Sequence, residues 1–202
     1  MKFSIIIPAH NSAGFIRKAL DSIKAQAFTD YELIVVCDSC TDDTEEVARE
    51  YGAVVESVSF HCDGLTRNRG MELAHGDWLL FMDDDDWWLH EFVLLQLDDM
   101  INRTPEMDIL CFSFIWKEMG YASPISRGGA HWIACWCKCY RRESIGDSRF
   151  SNLIDGSADV LFYTQMFYKG LRIVDWDMPL YYYNYLRPGS ISETRGYDYR
   201  PG

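Results

Sequence analysis

Residues 77–87 read Asp77-Trp78-Leu79-Leu80-Phe81-Met82-Asp83-Asp84-Asp85-Asp86-Trp87, five large apolar side chains running straight into four carboxylates. An apolar run without alternation predicts a strand buried on both faces, and such a strand needs a sheet covered by helices on both sides. Toward the N-terminus, residues 3–7, 32–37 and 53–58 carry the same β-branched, apolar signal. Between them lie helical patterns. Ser12 is placed to cap a helix whose Phe15, Ile16, Ala19, Leu20, Ile23 and Ala27 share one face. Thr44, Val47, Ala48 and Tyr51 mark a second helix, and a third runs from about Leu65 to Ala74, where His75-Gly76 stops it. This alternation predicts a doubly wound α/β unit, in which ligands bind beyond the carboxyl ends of the strands. Toward the C-terminus the order is less regular. A helix is predicted over 89–102, strands over 108–116 and 133–140, a helix over 157–168, and two short strands over 171–175 and 180–185.

The 202 residues suit one domain spanning 1–202, since cores of this kind usually run to roughly 100–200 residues. With 48% hydrophobic, 15% aromatic and 25% charged residues, the chain has the balance of a packed globule and not of a disordered tail. A net charge of -12 argues against nucleic acid as a partner. The N-terminal apolar run is too short for a signal peptide, and no stretch approaches the ~20 apolar residues of a membrane span. Seven cysteines, an odd number scattered along the chain, fit free thiols and a cytoplasmic location. On a strand, Cys135, Cys137 and Cys139 would put their sulfurs on one face. Zinc sites prefer pairs two to four residues apart, so these three read as small buried hydrophobes.

The carboxylates at 83–86 need an explanation. On an extended segment, alternate residues lie ~6.6 Å apart on one face, where two charges repel by about 2.5 kcal/mol at an effective dielectric near 20. Hard oxygen ligands so placed suit Mg²⁺ or Mn²⁺, which bind through one or two carboxylates plus substrate phosphates. The alternative is that Asp86 caps the following helix and the others are solvated. The first strand-to-helix turn, Pro8-Ala9-His10-Asn11-Ser12-Ala13-Gly14, has neither a dinucleotide fingerprint nor a P-loop, which excludes a dehydrogenase or a P-loop NTPase. A phosphatase with an aspartyl nucleophile lacks its expected small hydroxyl residue after the acidic pair.

Six spaced segments together resemble glycosyltransferase family 2. Ser4-Ile5-Ile6-Ile7-Pro8-Ala9-His10-Asn11 is similar to the family's first strand and loop, and Val36-Cys37-Asp38-Ser39-Cys40-Thr41-Asp42-Asp43-Thr44 to its V-D-D-G-S-x-D-x-T. Arg67-Asn68-Arg69-Gly70 resembles A-R-N-x-G, and 81–87 resembles F-L-D-x-D-D-W. Trp136-Cys137-Lys138-Cys139-Tyr140-Arg141-Arg142 resembles W-x-K-x-Y-R-R, and Arg187-Pro188-Gly189-Ser190-Ile191-Ser192 the late R-x-G-S-I-S. The resemblance covers residues 3–192. It implies a GT-A fold, a Rossmann-like, mixed and mostly parallel sheet with helices on both faces, with a nucleotide-sugar-binding half at 1–104 and an acceptor-side half at 105–202.

Carried over by position, the resemblance implies that Pro8, His10, Asn11, Asp38 and Arg67 surround the base and ribose of a nucleotide-diphosphate sugar, UDP in the first place. His10 either stacks on the base or bonds to nearby backbone; Asp38 either accepts from the base or caps the next helix; Arg67 either meets the donor or pairs with neighbouring acids. Asp83 and Asp84 frame the ribose and diphosphate, and Asp85, with Asp83, meets Mn²⁺ or Mg²⁺. Arg187 either clamps the diphosphate or holds a C-terminal loop. An inverting transfer needs a carboxylate that deprotonates the acceptor hydroxyl. The family takes it from an E-D pair at a helix start, where this chain has Ala158-Asp159, so Asp159 is the expected base, with Asp155 in reserve. Exposed aromatics among Tyr181, Tyr182, Tyr183 and Tyr185 could stack on a sugar, as could a plain half-buried strand account for them.

The implied activity is transfer onto a glycan or lipid-linked acceptor in cell-surface polysaccharide synthesis, in the cytoplasm or at the inner face of the membrane. Association with the membrane surface or a partner protein stays open. Ala158 for glutamate and Cys37 for the first acid of the D-D pair keep a second reading open, a silent relative that binds nucleotide-sugar in a regulatory or assembly role.

Overall fold

A computed structural model describes residues 1–116, 120–122, 134–153 and 157–184. Arg187, with the rest of the late Arg-Gly-Ser segment, Tyr185 and Asp155 lie outside the described residues. The strands are β1 (Phe3–Ala9), β2 (Tyr31–Asp38), β3 (Val54–Val58), β4 (Trp78–Phe81), β5 (Trp87–Trp88), β6 (Ile109–Trp116), β7 (Gly120–Ala122), β8 (Lys138–Arg141) and β9 (Ile173–Tyr183). The helices are α1 (Ile16–Lys24), α2 (Thr44–Glu50), α3 (Asp63–Leu73), α4 (Val93–Arg103), α5 (Arg142–Ile145) and α6 (Ala158–Tyr168). One sheet orders the strands β3-β2-β1-β4-β8-β6-β9-β5, with β7 on β6. The β3-β2-β1-β4 portion is parallel, whereas β8 runs antiparallel to both β4 and β6.

Both faces of the parallel portion are buried, as the apolar runs require. Alternate residues divide between two cores. Phe3, Ile5, Ile7, Leu33, Val35, Trp78 and Leu80 pack with α1, α2 and α4, while Ile6, Ile34, Val36, Leu79 and Phe81 pack with α3 and α6. Gly70 lets α3 lie directly on β1: a Cβ there would come within 2.3 Å of Ile6 Cγ2. Pro8 costs β1 no ladder bond to β4, because that pairing ends at Ile6 opposite Phe81.

Four expectations need correction. Ser12 does not cap α1 through its side chain; its backbone carbonyl accepts from Phe15 and Ile16, and the helix starts at Ile16 because 13–15 form a turn first. Residues 135–137 form a 3₁₀ turn ahead of β8, so the three cysteines are not on one strand face; Cys135 joins the core under α6, and Cys137 and Cys139 join the other. All three are buried. The two C-terminal strands are one, β9, broken in register where Pro179 stands opposite Ser113. The helix predicted from residue 89 starts at Val93, because Trp87 and Trp88 pair with Tyr182 and Tyr181.

Candidate active site

At the carboxyl ends of β1 and β2, two loops brace each other. The Thr44 hydroxyl accepts from the Ser12 N–H at 2.8 Å, and Asp42 accepts from the N–H groups of Ala13 and Thr44 at 3.0 and 3.1 Å. Asn11, at φ +48, accepts from the Thr41 N–H at 2.8 Å. His10 places Nδ1 2.6 Å from the Asp38 carbonyl, so Nδ1 carries the proton, and the residue is exposed. Of the two fates open to His10, the backbone bond is therefore made, and it leaves stacking available.

Asp38 is 6% exposed and its carboxylate is crowded with donors. The N–H groups of Phe60, His61 and Cys62 and the hydroxyls of Ser39 and Thr66 reach it at 2.8 to 3.0 Å. Burial alone would raise its pKa. The bonds from His61, Cys62, Thr66 and Ser39 outweigh that and hold it below the usual carboxylate range. The group thus ties the end of β2 to the loop that starts α3, while the bond to the first turn of α2 comes from Asp42 instead.

Residues 83–86 form a turn, closed by Asp86 N–H donating to the Asp83 carbonyl at 3.2 Å, and not the extended segment expected from sequence. The turn gives the carboxylates different partners. Asp83 accepts from Arg67 at 2.8 Å. Asp84 accepts from the His10 N–H at 3.3 Å, which joins this turn to the first loop. Asp85 stays partly exposed. Asp86 turns inward, fully buried, and accepts from the Tyr181 hydroxyl at 2.7 Å and the Asn184 N–H at 2.8 Å. It therefore neither caps a helix nor faces solvent. Burial and the neighbouring charge of Asp85 push Asp84 up to about 8 and Asp86 well above its ordinary value. Asp83 is pushed up to about 6 by burial, despite Arg67 beside it.

Arg67 and Asp159 complete the constellation. Arg67, buried on α3, donates to Asp63 at 2.7 Å and to Asp83 at 2.8 Å, and its charge is felt by Asp159. Of the two alternatives for Arg67, the pairing with neighbouring acids is made. Asp159, in the first turn of α6, accepts through Oδ2 from the Cys135 N–H at 3.1 Å. Its Oδ1 is buried and has no hydrogen-bond partner among the described residues. The fold thus brings Pro8, His10, Asn11, Asp38, Arg67, Asp83, Asp84, Asp85 and Asp159 to one side, at the carboxyl ends of β1, β2 and β4. A cavity of about 630 Å³ bordered by Lys2, Trp78 and Arg142 lies at the other end of these strands, away from the carboxylates.

Sequence reasoning missed the residues that hold this turn from behind. Tyr181 is fully buried, stacks on Trp136 at 4.8 Å, donates to Asp86 and accepts from the Asp83 N–H at 3.1 Å, so it supports the turn and offers no face to a sugar. Tyr182 stacks on Trp87 at 4.1 Å, and Tyr183 also stacks on Trp136, at 4.8 Å. Asn68 exchanges two hydrogen bonds of 2.9 Å with the Phe150 backbone and so fixes the segment leading to α6. Lys138 is fully buried and donates to the Ala134 carbonyl at 2.6 Å, which ties β8 to the residue that leads into the 3₁₀ turn. A signal existed for the last two, since both lie inside quoted motifs; nothing local marks Tyr181 as partner of a residue 95 positions earlier.

The model of the glycosyl transferase family 2 matches residues 4–145, well over half of the chain. The chain belongs to glycosyl transferase family 2. Among curated relatives, a PGL/p-HBAD biosynthesis glycosyltransferase of Mycobacterium bovis is 41% identical over 125 residues, covering 59% of this chain and 49% of that protein. The uncharacterized glycosyltransferase YibD of Escherichia coli is 26% identical across 95% of this chain and 63% of its own length. This family 2 chain spans less than two thirds of the length of the curated relatives it matches. Staphylococcus aureus TarS superposes with a TM-score of 0.80 at 23% identity over 90% of this chain and 36% of TarS, which shows the shared GT-A fold. No helix among the described residues is long and apolar enough to cross a membrane.

Proposed function

We propose that this chain is a metal-dependent, inverting glycosyltransferase of the hexosyltransferase type. It moves a sugar from a nucleotide-diphosphate donor, a UDP-sugar in the first place, onto a glycan or lipid-linked acceptor in cell-surface polysaccharide synthesis. The observation that carries this reading is the buried, idle Oδ1 of Asp159, held beside Arg67 and Asp83 where an α/β sheet binds its ligands. A carboxylate fixed by one oxygen and idle at the other is built to take a proton. Asp159 removes the acceptor hydroxyl proton as that oxygen attacks the anomeric carbon and the bond to the diphosphate breaks, so one displacement inverts the centre. Pro8, His10, Asn11 and Asp38 line the base and ribose, with the exposed ring of His10 against the base. Arg67 and Asp84 meet the ribose and diphosphate, and Arg187 clamps the diphosphate.

The residues fit a divalent cation. Burial and the neighbouring carboxylates push Asp83 and Asp84 toward protonation, a negative field that a cation relieves. Among the described residues no three His, Cys, Asp or Glu side chains are grouped to hold a metal, so Asp83 and Asp85 act as a two-carboxylate site that donor phosphates complete. Mn²⁺ or Mg²⁺ bound there supplies charge stabilisation for the departing diphosphate. TarS is known in complex with UDP and with UDP-GlcNAc, and the Pyrobaculum calidifontis mannosyltransferase PcManGT with GDP-Man and Mn²⁺.

The test is Asp159→Asn. Sugar transfer should fall by about 10²–10⁴ while UDP affinity is kept, because the base acts only in the chemical step. Unchanged turnover removes Asp159 from the mechanism. Ala158, 2% exposed, packs into the core and adds no second carboxylate, which favours the silent-relative reading enough to name its signature: full UDP binding with no UDP release under any acceptor.

A further inference from the structure

We propose that Cys37 and Cys40 are a reversible dithiol–disulfide pair at the rim of the donor site, and that closing the bridge weakens nucleotide binding. The second half rests on the donor reading above. Cys37 is 1% exposed near the end of β2, where it pairs with Ala9 of β1. Ser39, at φ +57, reverses the chain. Cys40 then folds back so that its thiol donates to the carbonyl of the same Ala9 at 3.5 Å. The two side chains are thereby brought to one side of the sheet, where Cys37 lies in the core and Cys40 packs against that same core. Contact with the Cys37 thiol, helped by the Asn11 N–H at 3.4 Å, brings Cys40 down to about 7 and raises Cys37. All seven cysteines are free thiols here, and Cys40 is the one that is not buried.

This arrangement divides the roles. The half-exposed Cys40 thiolate attacks a small-molecule disulfide such as oxidised glutathione, forming a mixed disulfide and releasing one glutathione thiolate. Cys37 then attacks the Cys40 sulfur and passes its proton to the second departing glutathione. Two protein thiols are oxidised to one S–S bond, and one glutathione disulfide is reduced to two thiols. The bridge has a price for the neighbouring loop. Cys40 gives up its S–H to the Ala9 carbonyl, and its sulfur is drawn from the Asn11 N–H toward Cys37. Asn11 also depends on Thr41, the next residue, and His10 on the Asp38 carbonyl, two residues before. The rim that carries His10 and Asn11 therefore shifts with the bridge.

The experiment equilibrates the full chain in glutathione buffers of rising oxidised fraction, quenches with acid, alkylates, and maps linked peptides by mass. UDP is titrated with Mn²⁺ into unquenched aliquots of the same equilibrations. A Cys37–Cys40 linked peptide that reductant removes, with a roughly tenfold weaker UDP affinity that reductant restores and that Cys40→Ser does not show, is expected. No such peptide under fully oxidising buffer, Cys40 linked instead to another cysteine, or a bridge that leaves UDP affinity unchanged would each overturn the proposal. Peptide mapping needs no nucleotide, so absence of UDP binding by the reduced chain sinks the donor reading while the linkage is judged separately.

Discussion

Two groups of aspartates stand at the carboxyl ends of β2 and β4, with β1 between them, and the chain treats them in opposite ways. Asp38 receives five donors, three of them backbone N–H groups, and is held as an anion. The 83–86 turn crowds four carboxylates near one arginine, and Asp83, Asp84 and Asp86 are driven toward their neutral forms. A carboxylate whose lone pairs are filled by the chain itself organises loops. A cluster whose charge the chain leaves unbalanced is suited to receive charge from a ligand. The difference teaches that acids at neighbouring strand ends can differ in how far the chain itself balances their charge, and the donor count around each decides it.

The comparison can be broken most forcefully at Asp85. Asp85→Ala should weaken Mn²⁺-dependent UDP binding by about a hundredfold or more in calorimetry, while fold and Tm stay near those of the parent. Retained metal-dependent binding would place the cation elsewhere. Next in size, Asp38→Ala strips five donors of one acceptor and should cost about 1–3 kcal/mol, read as a fall in Tm of about 2–4 °C per kcal/mol for a chain of this length. Because its folded pKa is depressed, the contribution of Asp38 is complete above the unfolded value of about 3.9 and is lost only as pH falls through the lower folded value. The two Tm curves should thus stay apart at pH 7 and converge below about pH 4; curves that coincide at pH 7 would reduce Asp38 to a solvated acid.

Asp84 gives an effect of the opposite sign. Asp84 has a folded pKa of about 8, above its unfolded value, so in the folded chain its ionisation costs stability increasingly as pH rises from about 4 to 8. Metal-free parent protein should lose a few degrees of Tm between pH 5 and 8. Asp84→Asn should flatten that decline, and Mn²⁺ should flatten it in the parent. Identical slopes in parent and variant would show that the turn carries no strain of charge.

Much of this was legible along the chain. Apolar runs at 3–7, 32–37 and 77–82 imply strands with both faces covered, because five large side chains in a row cannot alternate with water, and the β-α order then implies the parallel half. The spaced motifs singled out Arg67 and Asp83, and the helix start at Ala158 singled out Asp159. What the sequence could not determine was the direction each carboxylate takes, because a turn and an extended segment at 83–86 carry the same residues and differ only in one backbone hydrogen bond. Nor could it determine that Asp86 belongs to Tyr181, that Asn68 holds Phe150, or that Cys40 returns to Ala9, since these depend on contacts between segments distant in the chain and on a single left-handed residue at Ser39. Local pattern settles which segments are buried, because burial is read from side-chain chemistry. Pairing among the buried polar groups is settled only by the fold, because a hydrogen bond is directional and needs its partner within about 3 Å.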